Sequence, residues 1–428
     1  MDTKPYSLTL DEQGEVSISD VKLVSLAQEY GTPLYVLDKE TIVRNCARYI
    51  QPLSEQLDSF LVLYAGKANL SIGLINLMAE LGMGLDVVSG GELYTALHSN
   101  MLTEKIYFHG NNKSYSELKL AIESGVKIVV DNEQEAQNII QLCEDGNTAQ
   151  LLIRMKPEIE AHTHEYIKTG QIDSKFGVEK DRLIPLIRRL QSVKSIDVLG
   201  IHCHIGSQIF QITPFEDLVS LMTQTVLAIK TQCGLEVQEL NMGGGIGIKY
   251  TQEDTPPNIE EYIARVAKLF KSQCQELGIS CPKLLLEPGR SIVGNAGVTL
   301  YTVGTIKEIP GVKNYLFVDG GMADNPRPIM YQADYTFGVA KPQCGDTFEY
   351  AIAGKFCESG DVLTHSVFLP KVRVGDILVV YSTGAYNYAM ASNYNRYCKP
   401  AMVLLDQGNS TVLVRRERYE DITRFDIA

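Results

Sequence analysis

Four short stretches of this chain place reactive side chains where chemistry is feasible. Lys67, in Tyr64-Ala-Gly-Lys-Ala-Asn69, follows an apolar run. An amine held there, partly desolvated, can lose its proton and form a Schiff base. The run Asn241-Met-Gly-Gly-Gly-Ile-Gly247 contains Gly243, Gly244 and Gly245, whose backbone N–H groups can converge on an anion such as a phosphate. Ser207, in His204-Ile-Gly-Ser207, adds a hydroxyl for the same anion, and His204 itself is a planar group able to stack on a ring. Glu287, in Leu286-Glu-Pro-Gly-Arg290, offers a carboxylate for a pyridinium nitrogen. A ring kept protonated in this way is a strong sink for the carbanion left by loss of CO2, whereas a cationic partner would suit racemisation. Each residue also has a plainer reading as a solvated lysine, a tight turn or a polar strand end. Their company argues for chemistry.

The elements that must position them can be read from the pattern. From about residue 60 to 290, apolar or β-branched runs alternate with longer helix-compatible stretches, as repeated β-α units require. The strand candidates begin at Phe60, Met83, Ile106, Lys127, Leu151, Val198, Val237 and Lys283. Eight strands over this length predict a (β/α)8 barrel in preference to a doubly wound sheet. Barrel enzymes carry their reactive groups at the C-terminal ends of the strands. Lys67, Asp86, His109, Asp131, Arg154, His204, the triglycine and Glu287 each end a different candidate strand. After about Asn295 the texture changes to strand-like runs separated by Gly, Pro, Asp or Asn, which predicts an all-β domain. The opening SLTLDEQGEVSIS reads as strands around a turn that pack with that domain. The expected organisation is therefore α/β plus β: a TIM-like barrel over 37–294, with 1–36 and 295–428 forming the β domain.

Composition narrows the class. The 428 residues are too many for one core, and 45% of them are apolar. A net charge of -13 repels nucleic acid and anionic lipid, so neither is an expected partner. The N-terminus has no signal-like pattern and no apolar run approaches a membrane span, so the expectation is a cytoplasmic protein. Nine scattered cysteines without a Cys-x-x-Cys pair argue against disulfides or structural zinc, and most are expected to be buried thiols. The pairs His162/His164 and His202/His204 invite a metal reading. That reading leaves Lys67 and the triglycine unexplained, so no metal is expected, and His202 is taken as barrel-wall core.

Taken together, these motifs resemble the fold-type III, alanine racemase-like pyridoxal-phosphate decarboxylases over nearly the whole chain. The resemblance extends to His202-Cys-His-Ile-Gly-Ser-Gln208, Glu287-Pro-Gly-Arg290, Arg327-Pro-Ile-Met-Tyr331, Cys357-Glu-Ser-Gly-Asp361, Gly384-Ala-Tyr386 and Ser392-Asn-Tyr-Asn395. His162-Thr-His-Glu-Tyr-Ile-Lys-Thr-Gly170 with Ser174-Lys-Phe-Gly177 is most similar to the diaminopimelate branch. The resemblance implies pyridoxal 5'-phosphate carried by Lys67 and bound by His204, Ser207, Gly243, Gly244, Gly245, Glu287, Gly289, Arg290 and Tyr386. It implies a meso-2,6-diaminopimelate substrate held by Arg290, Arg327, Tyr331, Glu358 and Tyr386, with lysine and CO2 as products. Lys67, His204 and Cys357 would be catalytic, Cys357 as proton donor, in a homodimer with composite sites. The chain departs from the family at Asp324-Asn-Pro326, where apolar residues are more usual. The alternatives are a decarboxylase of ornithine, arginine or lysine on the same fold, or a non-catalytic cofactor-binding homologue. Arg327 and Glu358 favour a substrate with two carboxylates, and the presence of both Lys67 and Cys357 favours an enzyme.

Overall fold

The computed structural model describes residues 2–144, 146–157 and 175–427. The chain divides into two compact units. One comprises Met1–Asn45, Ile248–Thr255 and Arg290–Ala428, and the other Cys46–Gly247 and Pro256–Gly289.

In the first unit β1 (Leu8–Leu10), β2 (Val16–Ile18) and β3 (Val21–Lys22) form a small antiparallel sheet around the predicted turn. The backbone N–H of Val16 donates to Ala340 O at 2.7 Å, which ties this sheet to later strands of the same unit. The next strand is β4 (Leu34–Asp38), and all five of its residues are buried.

The second unit holds β5 (Phe60–Ala65), β6 (Gly84–Val87), β7 (Ile106–Phe108) and β8 (Lys127–Val130), followed by β9 (Ala149–Arg154), β10 (Ile196–His202), β11 (Glu239–Asn241) and β12 (Lys283–Leu286). Each pairs in parallel with its neighbours, and β12 returns to β5, so the barrel is closed. All eight strand candidates from the sequence become these strands. Their near-continuous apolar character follows from burial on both faces, inside against Leu61, Leu63, Tyr107, Val129, Leu152, Leu199 and Leu285 and outside against helices. Local signals set the helix ends. Ser114 and Glu117 form a capping box on the helix Tyr115–Ser124, and Asn258 caps Ile259–Leu277, which ends at Gly278 in the left-handed conformation.

One polar network interrupts the barrel interior near the strands' N-terminal ends. Lys127 Nζ donates to Glu239 Oε1 at 2.6 Å and to the Tyr107 hydroxyl at 2.9 Å, and that hydroxyl donates to Glu239 Oε2 at 2.8 Å. Two largely buried charges and a buried phenol thereby satisfy one another.

The first unit continues with β13 (Gly297–Ile309), β14 (Lys313–Val318), β15 (Phe337–Val339), β16 (Thr347–Ala353), β17 (Val362–Pro370), β18 (Ile377–Tyr381), β19 (Ala401–Asp406) and β20 (Asn409–Val414). Its large sheet runs β17-β16-β14-β13-β4-β19-β20, with β18 also on β13 and β15 on β18. The early strand β4 is central, antiparallel to β13 and parallel to β19. Among the described residues no helix is long and apolar enough to cross a membrane. All nine cysteines are free, and four of them, Cys46, Cys143, Cys203 and Cys274, are buried. The expectation that most would be buried fails because Cys281, Cys344 and Cys357 lie on exposed connections.

Candidate active site

In the barrel unit, all eight strands deliver a polar group at the C-terminal end. Lys67 sits in a 3-10 turn, Gly66–Ala68, directly after β5. The Tyr64 hydroxyl donates to Asn69 O at 2.7 Å across that turn. A Cβ on Gly66 would lie 2.9 Å from Asp86 O, and one on Gly289 would lie 3.0 Å from the Cβ atoms of Ala65 and Ala68. The Lys67 turn therefore packs closely against the ends of β6 and β12: a side chain at Gly66 would force a shift, and one at Gly289 would need its neighbours to give. Asp131 follows β8 and accepts from the Gly177 N–H at 3.1 Å, with Arg154 Nη1 3.6 Å away.

Glu287 is buried at the end of β12 and is gripped from three sides. Asn241 Nδ2 donates to its Oε1 at 2.6 Å, His202 Nε2 lies 3.2 Å from Oε2, and His109 Nε2 approaches Oε1 at 2.9 Å without aligning as a hydrogen bond. Burial alone would raise this carboxyl, but His109 and His202 outweigh it and hold it well below the usual carboxylate range. Burial pushes His202 down to about 3, so it is neutral near pH 7. Asp86, 3.7 Å from His109 Nε2, is raised by burial. His202 is thus buried as expected, but it is a partner of Glu287 and not inert wall. The ligand atoms of His109, His202 and Glu287 lie within 4.8 Å of one another, a spacing that could hold a metal ion. The Asn241 amide already occupies one Glu287 oxygen, and an N–H donor there suits a hydrogen-bonded carboxylate better than a metal ligand.

The glycine loop is built by close approach. A Cβ on Gly244 would lie 2.0 Å from Glu287 O, one on Gly243 2.7 Å from Cys203 O, and one on Gly245 2.4 Å from Gly206 O. Gly244 N–H donates to His204 Nδ1 at 3.2 Å, which fixes the half-buried ring against the loop. Burial pushes His204 well below its usual value, helped by Lys67 and Arg154. Ile209 N–H donates to Gly245 O at 2.9 Å and Gly247 N–H to Ile209 O at 3.0 Å, so the turn carrying Ser207 is clamped beside the triglycine.

In the other unit, the arginines cluster with tyrosines. Arg290 Nη1 donates to the Tyr250 hydroxyl at 2.6 Å, and Arg327 Nη1 to the Tyr335 hydroxyl at 2.7 Å. The Arg290 guanidinium lies 4.7 Å from the Tyr386 ring centre and that of Arg327 4.8 Å from the Tyr250 ring. Burial would raise the Tyr250 phenol, yet the two arginines bring it down. The loop before Arg327 is anchored by buried Asp324, which accepts from the Tyr301 hydroxyl and, at 3.1 Å, from the Gly321 N–H. Burial pushes Asp324 up to about 7. Tyr331, at the end of the helix Arg327–Tyr331, is half-buried. Cys357 and Glu358 are exposed and take no hydrogen bond or ion pair from the arginine cluster among the described residues. Cys357 N–H donates to Asn395 Oδ1 at 2.9 Å, and the Tyr394 hydroxyl donates to the Glu358 carboxylate.

The pairs His162/His164 and Ser174, with the stretch between them, lie outside the described residues. Sequence reasoning missed Glu92, which accepts from Val88 N–H at 2.8 Å and which burial raises to about 7. It also missed Tyr250 and Tyr335, which carry no local signal. Asn241 was readable from its place at the head of the triglycine.

Fold and site together define a barrel enzyme that holds a phosphate-bearing cofactor. Residues 40–294 match the family described as pyridoxal-dependent decarboxylase, pyridoxal binding domain. The chain is 44% identical over 420 residues to a diaminopimelate decarboxylase of Halalkalibacterium halodurans, covering 97% of this chain and 96% of that one. It is 44% identical over 423 residues to that of Bacillus subtilis, again covering 97% and 96%. The crystal structure of diaminopimelate decarboxylase from M. jannaschii in complex with L-lysine is similar with a TM-score of 0.92 at 35% identity, covering 100% of this chain and 99% of that one. The chain belongs to the pyridoxal-dependent decarboxylases, in the diaminopimelate decarboxylase family. Its residues fit pyridoxal phosphate on three observations: a glycine loop that tolerates no Cβ, a buried carboxylate held ionised, and Asp86 Oδ1 and His202 Nδ1 buried without a hydrogen-bond partner among the described residues.

Proposed function

We propose that this chain decarboxylates meso-2,6-diaminopimelate to L-lysine and CO2, the last step of lysine biosynthesis, using pyridoxal 5'-phosphate. The observation that carries this reading is Glu287, a carboxylate buried inside the barrel with the Asn241 amide 2.6 Å, His109 Nε2 2.9 Å and His202 Nε2 3.2 Å from its oxygens. A buried anion is costly, and a cationic ring is the partner that justifies it.

Lys67 would carry the cofactor through its amine. Gly243, Gly244, Gly245 and Ser207 would take its phosphate, His204 would face its ring, and Glu287 would meet the ring nitrogen, with Gly289 giving close approach. When bound, the group supplies a sink for the electron pair left as CO2 departs. Arg290 and Arg327 suit a substrate carboxylate, because a planar guanidinium presents its N–H donors in a fork that matches a carboxylate. Tyr331 and Tyr386 would line the same grip. Cys357 would return a proton to the carbon that lost CO2, and Glu358 would meet the distal amine. Both lie exposed in their own unit, and we read them as completing the site of a second copy in a homodimer.

An assay of CO2 release from diaminopimelate, lysine, ornithine and arginine tests the proposal, together with the visible absorbance of the purified protein. Release from diaminopimelate alone, with a band abolished by borohydride, is expected. Release from ornithine or arginine in preference, or the absence of any band, would overturn it.

A further inference from the structure

We infer that His109 is a positioning residue for Glu287: with His202 and Asn241 it fixes the orientation of the carboxylate that meets the cofactor's ring nitrogen. The inference rests on that reading of Glu287.

The arrangement draws on five strand ends. Asp86 comes from β6, His109 follows β7, His202 ends β10, Asn241 ends β11 and Glu287 follows β12. The two imidazoles meet edge to face, with ring centres 4.7 Å apart and planes at 72°, so their edges reach different oxygens of one carboxylate. His202 Nε2 lies 3.2 Å from Oε2 and His109 Nε2 2.9 Å from Oε1. An ionised carboxylate only accepts hydrogen bonds, so each approach is attractive only when Nε2 bears the proton. For His202 this places the lone pair on Nδ1, in keeping with a buried Nδ1 that has no hydrogen-bond partner among the described residues. Asp86 Oδ1 stands 3.7 Å from the same His109 nitrogen and limits how far the ring can swing from Glu287.

The physical need is specific. A carboxyl buried this deeply, without donors, neutralises itself and can no longer hold a proton on a ring nitrogen. Asn241 supplies one donor to Oε1 and His202 one to Oε2, and His109 comes from the far side of β5 and β6. Removing it leaves Glu287 held only from its own side of the barrel.

The test uses holoenzyme and two readouts other than turnover: the visible absorbance of bound pyridoxal phosphate and its dissociation constant from fluorescence quenching. The variants are His109→Leu, His109→Gln, Glu287→Gln and the double variant His109→Leu/Glu287→Gln, each checked for fold by circular dichroism. His109→Leu should shift the absorbance band in the direction that Glu287→Gln shifts it. It should weaken cofactor binding by about tenfold at most, because the His109 contact is not aligned as a hydrogen bond and falls below the range for hydrogen bonds to charged groups. His109→Gln, which keeps an N–H near the position of Nε2, should restore most of both. The double variant should be no worse than Glu287→Gln alone, because His109 acts through that carboxylate. A wild-type band and affinity in His109→Leu, or losses that add in the double variant, would overturn the inference. If Glu287→Gln itself leaves band and affinity unchanged, the reading of Glu287 fails and the inference falls with it. Should His109→Leu not fold, His109→Asn replaces it, its amide falling short of Glu287.

Discussion

Glu287 and Arg327 carry opposite charges into buried surroundings, and neighbours of different kinds hold each one there. The carboxylate relies on imidazole and amide donors, the guanidinium on tyrosines, which leave it free to take an anion. Replacing Arg327 by Ala should lower kcat/KM for diaminopimelate by about ten- to a hundredfold, since a hydrogen bond to a charged group contributes about 1.5–3 kcal/mol. Inhibition by cadaverine, a diamine without a carboxylate, should change little, whereas inhibition by the product lysine, whose carboxylate is the one left at the far end when CO2 departs, should weaken too. Equal losses for diaminopimelate and cadaverine would remove Arg327 from that role. Asp324 behaves differently. Its pKa in the folded chain is raised from 3.8 to about 7, so between those values the folded chain holds a proton that the unfolded chain has shed. Its contribution to stability is therefore present below 3.8 and is lost as pH rises through 7. Asp324→Asn keeps an acceptor for the Gly321 N–H and removes that titration. Urea unfolding should show the variant gaining on wild type as pH rises from about 5 to about 8. A difference independent of pH would show that Asp324 does not titrate in that range. Lys67, Glu287 and the triglycine were legible because each ends a recognisable apolar run. Tyr250 and Glu92 were not, because a lone tyrosine or a helix glutamate acquires its role only from neighbours distant in sequence.

At the level of elements, the barrel strands were readable for a physical reason: burial on both faces leaves runs such as Lys127-Ile-Val-Val130 almost free of polar interruption. β4 was not read as a strand, although Leu34-Tyr-Val-Leu-Asp38 is as apolar, because its partners β13 and β19 lie hundreds of residues away. β15, only Phe337–Val339, is too short to give a period. The turn after β11 makes a sharp prediction. Gly244→Ala would put a Cβ 2.0 Å from Glu287 O, so the loop must shift. The purified variant should lose cofactor on dialysis, while Gly304→Ala, whose Cβ would meet only Phe317 O at 3.8 Å, should keep it. Full retention by Gly244→Ala would mean that the loop has room to spare. At the opposite end of the barrel, Glu239→Ala leaves Lys127 buried without its counter-charge, which should cost about 3–5 kcal/mol. The change should appear in the urea midpoint and not in kcat of the folded fraction, because the strands' N-terminal ends serve stability. A fall in kcat at unchanged midpoint would reverse that assignment.

For the whole molecule, the exposed Cys357–Glu358 segment makes pairing of chains the decisive question. If each site is completed by Cys357 of the partner subunit, Lys67→Ala and Cys357→Ala chains are inactive alone. A mixed dimer then has one site with both lesions and one with neither. Free exchange of equal amounts makes about half the dimers mixed, so activity should recover to about a quarter of wild type. Exchange can be followed with differently tagged chains, and mixed dimers without activity would sink the shared-site arrangement. The central place of β4 has a separate consequence, for synthesis on the ribosome. Barrel strands emerge in order, each able to pair with the one before it, and the ring can close once β12 is out at Leu286. β4 appears first of all the large sheet's strands, yet its two neighbours begin at Gly297 and Ala401. Through most of translation an apolar leader therefore waits with both edges unsatisfied, and nascent chains stopped between those points are the ones that chaperones must cover.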